Sequence, residues 1–278
     1  MALNWNPVRE GAIKQRLLTA VIGLPLLVLF VVFAGPGLFA GLICMLGAIG
    51  LHEFYRMALP RERHGEAHLA IALGIILAAT LLFCPHPAAQ LGLLVAVVLA
   101  LTILFLFRYR TLDTVGRDLA LTTFGLLYVP LLLSHAGLLR QLEQGREWVF
   151  LVLMTVMASD SLAYFVGMTF GKHRLYEAIS PKKSIEGALG GLIGGVLGTL
   201  LAKLWLLPFL QPVDVLLLGV GVGAFSQVGD LVESMFKRSF GVKDSGTIFP
   251  GHGGLLDRLD SLLFAFPATY YYVVWFMR

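Results

Sequence analysis

The chain has 278 residues, of which 58% are hydrophobic and 14% charged, with a formal net charge of +4. Its mean hydropathy of +0.83 excludes an ordinary soluble domain, and the small positive excess reads as a topological signal, not a nucleic-acid footprint. The two cysteines, Cys44 and Cys84, lie in or at the end of apolar runs without metal-ligand spacing and read as inert buried thiols.

A helix needs about 20 apolar residues to cross the hydrocarbon core, and about nine runs qualify. They are Leu17 to Ala34, Gly37 to Met57, Leu69 to Cys84, Ala88 to Phe107, Leu119 to Leu139, Trp148 to Phe170, Ile185 to Leu207, Val213 to Phe236 and Leu259 to Phe276. The third is the shortest, cut from the fourth by Pro85, His86 and Pro87, and allows a re-entrant segment. Met1 to Lys14 is short and no small-residue cleavage site follows, so the first span is expected to be a retained helix. The expected fold is all-α, a polytopic integral membrane protein forming a single membrane domain.

Short cytoplasmic loops hold the excess of Lys and Arg. With the N-terminus cytoplasmic, 17 of the 21 Lys and Arg fall inside, leaving Arg140, Arg146 and Arg278 outside and Lys203 within a span. This orientation places residues 237–258 in the cytoplasm.

Residues 1–140 read as scaffold helices with few polar groups inside the spans. His52 and Glu53 are the exception, near the cytoplasmic end of the second span, where the glutamate is expected to snorkel or pair with a loop arginine. Residues 141–278 are expected to hold the catalytic site. The sixth span contains Asp160, Ser161 and Tyr164, with Asp160 deep enough to need a partner. After it, Ser180-Pro181-Lys182-Lys183-Ser184 resembles a helix start with Ser184 as N-cap. The seventh span has two glycine stripes, Gly187/Gly191/Gly195 and Gly190/Gly194/Gly198, expected to hold the sixth and eighth spans at close range. Such stripes also permit a homodimer.

On the eighth span Ser226, Asp230, Ser234 and Lys237 share one stripe, flanked by Glu233. Asp257 and Asp260, three apart at the start of the last span, project to one side. Either they cap that helix, with Arg258 as neutraliser, or they join Asp230 around a divalent cation, since Mg²⁺ takes one or two carboxylates plus phosphates and water. Lys182, Lys183, Lys237 and Arg238 would suit a polyanion such as a triphosphate, and Gly251 to Gly254 could gather backbone N–H groups around phosphate oxygens.

The segment from Ser234 to Asp260 resembles the signature of phosphatidate cytidylyltransferases. Ser234, Lys237, Arg238, Lys243, Asp244, Gly246, Pro250, His252, Gly253, Gly254, Asp257, Arg258 and Asp260 stand in that family's order and spacing. Asp160 to Tyr164 and Ser180 to Lys183 resemble its second block, with Ile185 where an aromatic residue is common. The resemblance implies that CTP and phosphatidate, taken from the membrane lipids, give CDP-diacylglycerol and pyrophosphate with Mg²⁺, at a bacterial inner membrane. A second cation is left open. Asp230, Asp257 and Asp260 become the expected metal ligands. Lys237, Arg238 and Arg258 are expected as catalytic cations, and Asp160, Tyr164, Ser180, Lys182, Lys183, Ser234, Lys243, Asp244, His252, Gly253 and Gly254 as substrate-binding residues. Two other readings are another CTP-dependent lipid enzyme, such as a polyprenol kinase-like protein, and an anion transporter. The latter should show an inverted repeat, and the chain has none evident.

Overall fold

The structure, a computed structural model, describes Val21, Gly23 and residues 25–108, 112–248 and 253–277. Residues 25–33 are helical. The helices that follow are α1 (Pro36–Ala58), α2 (His64–Phe83), α3 (Pro87–Arg108), α4 (Leu112–Leu126), α5 (Leu132–Gln141), α6 (Gly145–Phe170), α7 (Ile185–Trp205), α8 (Pro212–Ser239) and α9 (Leu256–Phe276). Seven helical stretches among the described residues are long and apolar enough to cross a membrane. The first expected span lies mostly outside the described residues. The ninth, α9, has 21 residues, with Asp260, Pro267 and three consecutive tyrosines making it less apolar than its neighbours.

The third span is longer than expected. Helix α2 has 20 residues, starting at His64 directly after a 3-10 turn over Arg61–Arg63, so its polar first turn is helical although it is not apolar. The fifth span is also longer, because α4 and α5 join through a π-helical turn at Leu127–Leu131 containing Pro130. A proline within a helix removes a backbone donor and relaxes the ladder locally.

The helix starts follow ordinary chemistry. Pro36 and Pro212 occupy the first turns of α1 and α8, where their missing N–H costs nothing. Gln211 and Asp214 form a reciprocal cap on α8. Ser184 caps α7 as expected, accepting from the Gly187 N–H at 3.1 Å. The four residues before it, however, belong to an antiparallel hairpin, β1 (Arg174–Tyr176) with β2 (Ser180–Ser184), the one departure from an all-α fold among the described residues. Glu186 fixes this hairpin by accepting from His173 Nδ1 at 2.6 Å and from the Lys172 N–H at 3.1 Å.

In lipid, association of helices rests on close packing and interhelical hydrogen bonds. The glycine stripes of α7 meet that demand. A side chain at Gly190 would strike Val166 of α6, one at Gly194 the Ala158 carbonyl of α6, and one at Gly195 the Gly219 carbonyl of α8. Both stripes are therefore filled within one chain, and a second copy would have to dock on another face. The hydroxyls of Thr155 and Thr199 meet at 2.8 Å across α6 and α7. Helix α3 has the opposite character: Val97, Leu101 and Phe105 are buried in one stripe, while Leu91, Leu99, Ile103, Leu106 and Phe107 face outward. In the N-terminal half, buried Arg63 bonds Asp118 at 3.2 Å, Glu66 at 3.4 Å and the Arg108 carbonyl at 2.8 Å, so its desolvated charge is well compensated.

Candidate active site

Between α6, the hairpin, α8 and the start of α9 lies a cavity of about 1130 Å³, larger than most sites for a single small ligand. Its wall along α6 runs from Leu153 to Met168, about 22 Å of helix. The lining includes an apolar group, Leu27, Leu153, Val156, Met157 and Leu262, and a charged group, Asp160, Lys182, Lys183, Asp230, Lys237 and Asp260, with Leu153 to Met157 preceding Asp160 along α6. Tyr164 and Met168 of this wall, and Phe165 beside them, are exposed.

Ten of the expected site residues line this one space: Asp160, Tyr164, Lys182, Lys183, Asp230, Lys237, Asp244, Asp257, Arg258 and Asp260. Their convergence has a local cause. The hairpin turns Lys182 and Lys183 back over the C-terminal end of α6, and the α7 glycines bring α6 and α8 close enough for Lys183 Nζ to reach Asp230 Oδ2 at 2.7 Å. Asp160, Asp230 and Asp260 are near enough to feel one another's charge.

Six others do not line the cavity. Arg238 is exposed and donates to the Val242 carbonyl at 3.3 Å, closing the C-terminal end of α8. The expected Lys237/Arg238 pair is thus split, because adjacent helical residues point about 100° apart. Ser234 supports from behind, 3.4 Å from Asp230 Oδ1. Ser180, Lys243, Gly253 and Gly254 are also absent from the wall. His252 lies outside the described residues.

Asp257 lines the cavity too, with both oxygens hydrogen-bonded within the protein. Its Oδ1 accepts from Lys237 Nζ at 2.6 Å; its Oδ2 accepts from the Ser245 N–H at 2.9 Å, the Ser245 hydroxyl at 2.9 Å and the Gly254 N–H at 2.7 Å. Both oxygens are spent inside the protein. The Gly254 amide is spent as well, so it is not the free phosphate donor that the glycines suggested. Lys237 also pairs with buried Glu233, one turn earlier on α8.

Sequence reasoning missed Glu53. It is buried, and it pairs with backbone groups, not with an arginine. Oε1 accepts from the Leu255 N–H at 3.0 Å and Oε2 from the Leu256 N–H at 2.9 Å; the Ser245 hydroxyl lies 3.2 Å from Oε2 and shares its one proton between this oxygen and Asp257 Oδ2. An ionisable residue inside an apolar run was the available signal; its partners, some 200 positions away, were not. Arg174 and Gln227 also line the cavity; the first was read only as a topology signal.

Among the described residues no three His, Cys, Asp or Glu side chains gather at metal-ligating distance. The donor set still fits a hard cation completed by substrate. Asp230 and Asp260, with Asp160 beside them, are less enclosed by protein donors than Asp257, and Mg²⁺ needs one or two carboxylates plus phosphate oxygens and water. Three mutually repelling carboxylates facing one cavity from α6, α8 and α9 also favour a cation between them.

Residues 14–276 match the sequence model of the cytidylyltransferase family. The chain is 36% identical over 274 residues to a phosphatidate cytidylyltransferase of Bacillus subtilis, covering 95% of this chain and 98% of that protein. It is 45% identical over 127 residues to one of Staphylococcus aureus (45% of this chain, 48% of that one). It is also 42% identical over 146 residues to one of Mycobacterium bovis (52% and 47%). The chain belongs to the cytidylyltransferase family.

Proposed function

We propose that this protein transfers the cytidylyl group of CTP to phosphatidate, giving CDP-diacylglycerol and pyrophosphate. What supports this most is a single cavity lined by a charged group of lysines and carboxylates and by an apolar group, suited to a polyanionic nucleotide meeting a lipid. A phosphate-monoester oxygen of phosphatidate attacks the α-phosphorus of CTP, and the bond from that phosphorus to the β-phosphate bridging oxygen breaks. A phosphate monoester has a second pKa of about 6, so the attacking group is already largely ionised at neutral pH and needs no strong base. Catalysis then consists of aligning two anions and neutralising the departing pyrophosphate.

Lys182, Lys183, Lys237 and Arg258 serve as phosphate contacts, and Tyr164 borders the lipid side. Asp230 and Asp260 hold Mg²⁺, with Asp160 orienting them. When bound, the ion neutralises phosphate charge and stabilises the leaving pyrophosphate. Asp257 acts as a latch that keeps Lys237 in place. The lipid's acyl chains occupy the part lined by Leu153, Val156 and Met157, and exposed Tyr164 and Met168 border its path from the bilayer. Residues 1–140 act mainly as scaffold and 141–278 hold most of the site. The distribution of Lys and Arg supports a cytoplasmic N-terminus and a cavity mouth on the cytoplasmic side of a bacterial inner membrane, where CTP is found.

The test is purified protein in detergent with labelled CTP and phosphatidate, with Mg²⁺ or a chelator, beside Asp230→Asn. A lipid-soluble nucleotide product that vanishes on chelation and in the variant is expected. No product from phosphatidate, or a product only from another acceptor such as a polyprenol, would overturn the reading.

A further inference from the structure

The small residues of the 234–260 segment invite a phosphate cradle, yet two of them are packed against a carboxylate from another part of the chain. A side chain at Gly246 would fall on Glu53 Oε1, and one at Gly254 on Glu53 Oε2 and on the Ser245 hydroxyl. Glu53 itself is 3% exposed. It sits at the N-terminus of α9, where N–H groups lack intrahelical acceptors and the helix dipole favours negative charge. No side chain of the α9 N-cap residue, Leu255, satisfies them. Glu53 does so instead, across 202 positions to Leu255 and 203 to Leu256.

We infer that Glu53 is a positioning residue for cytidylyl transfer, holding Ser245 beside the first turn of α9 so that Asp257 holds Lys237 toward the phosphates. The chain of contacts is continuous. Glu53 bonds the Ser245 hydroxyl at 3.2 Å, that hydroxyl lies 2.9 Å from Asp257 Oδ2, and Asp257 Oδ1 meets Lys237 Nζ at 2.6 Å. An ammonium has three donors. Two go to Asp257 and Glu233, which leaves the third for substrate in a fixed direction. The glycines at 246 and 254 are thereby assigned to making room for Glu53, and phosphate recognition falls to lysine and arginine side chains. The inference rests on the proposed reaction for its functional half and on geometry alone for its structural half.

Glu53→Gln tests both halves. The amide nitrogen must face either the Leu255 N–H or the Leu256 N–H, so at least one backbone bond is replaced by a donor facing a donor. Gly246→Ala attacks the same contact from the loop side and leaves the carboxylate in the sequence. Two measurements are made on detergent-purified full-length protein: amide exchange over peptides covering 245–257, and steady-state kinetics with CTP and phosphatidate. In both variants exchange in that segment should rise about ten- to a hundredfold, as for loss of a charged hydrogen bond. Exchange in α6 and α7 should stay as in wild type. The kcat should fall about tenfold or more, with a smaller change in the KM for CTP, since small displacements of a positioned group act chiefly on the chemical step. Wild-type kinetics with unchanged exchange would overturn the inference. So would exchange that rises evenly along the whole chain, which would make Glu53 a general packing residue. If wild-type protein forms no CDP-diacylglycerol, the proposed reaction fails instead, and the clamp is judged on exchange alone.

Discussion

Replacing Asp257 by asparagine separates a metal ligand from a latch. The carboxylate meets Lys237 Nζ at 2.6 Å, with the two side chains only 7% and 11% exposed. An asparagine must turn its amide either toward that ammonium, setting donor against cation, or toward the N–H groups of Ser245 and Gly254. At least one charge-assisted bond is lost in either orientation, about 1.5–3 kcal/mol each. The larger cost of stranding a buried charge, about 3–5 kcal/mol, does not apply because Glu233 still pairs with Lys237. At about 1.4 kcal/mol per tenfold, transfer should slow about ten- to a hundredfold. The assay is the initial rate of lipid-linked CMP formation across a Mg²⁺ titration. The variant should show a lower plateau with an unchanged Mg²⁺ midpoint, whereas Asp230→Asn and Asp260→Asn should move the midpoint upward. If Asp257→Asn shifts the midpoint and regains the wild-type rate at high Mg²⁺, Asp257 is a ligand and the latch is wrong.

Two more outcomes follow from the packing and the charge. Gly195→Ala forces a methyl against the Gly219 carbonyl, whereas the same change at Gly221 on α8 meets nothing within 4 Å. The first should lower the thermal midpoint in detergent through about 1–3 kcal/mol of overpacking, and the second should leave it level or raise it through about 1 kcal/mol of helix propensity; equal midpoints would contradict the close-packing account of α7. Lys183→Met removes the partner of Asp230 at 2.7 Å and should raise the KM for CTP about tenfold, with an unchanged KM arguing that Lys183 touches no phosphate.

Seven of the spans were legible as runs of apolar residues near bilayer length, and the α7 glycines because their spacing of four repeats along one helix face. Ser184 was legible for the same local reason, as a hydroxyl just before a helical run. The hairpin before it was not, since Arg174–Tyr176 and Ser180–Ser184 are too short and too polar to show a strand period. Of the site, charge in greasy surroundings pointed to residues that do converge on one cavity, yet charge alone does not reveal direction. Arg238 and Lys237 are neighbours in sequence and diverge in space; Asp257 and Asp260 share a helix face, but one turns inward to Lys237. Glu53 stood out as an ionisable group and could not be assigned, because its acceptors are used by backbone N–H groups, which have no sequence signature.

The arrangement of cations and carboxylates has a consequence for how substrate enters. Without phosphates, Lys183 rests on Asp230, and Lys237 on Asp257 and Glu233, so both of these lysines are paired within the protein. If Asp230 holds the cation as proposed, the Lys183 pair would have to loosen during the reaction. An arriving triphosphate would offer Lys183 a more highly charged partner and free the carboxylate. Phosphate and metal would then favour each other's binding, and such coupling is reciprocal by linkage. Lys237 behaves differently. It is held from two sides by groups that stay engaged, so it keeps its direction while Lys183 changes hands. A site that must admit a soluble trianion or tetraanion beside a lipid dianion thus combines one fixed cation with one exchangeable cation, and the fixed one is the one tied, through Asp257 and Ser245, to Glu53 in the scaffold half of the chain.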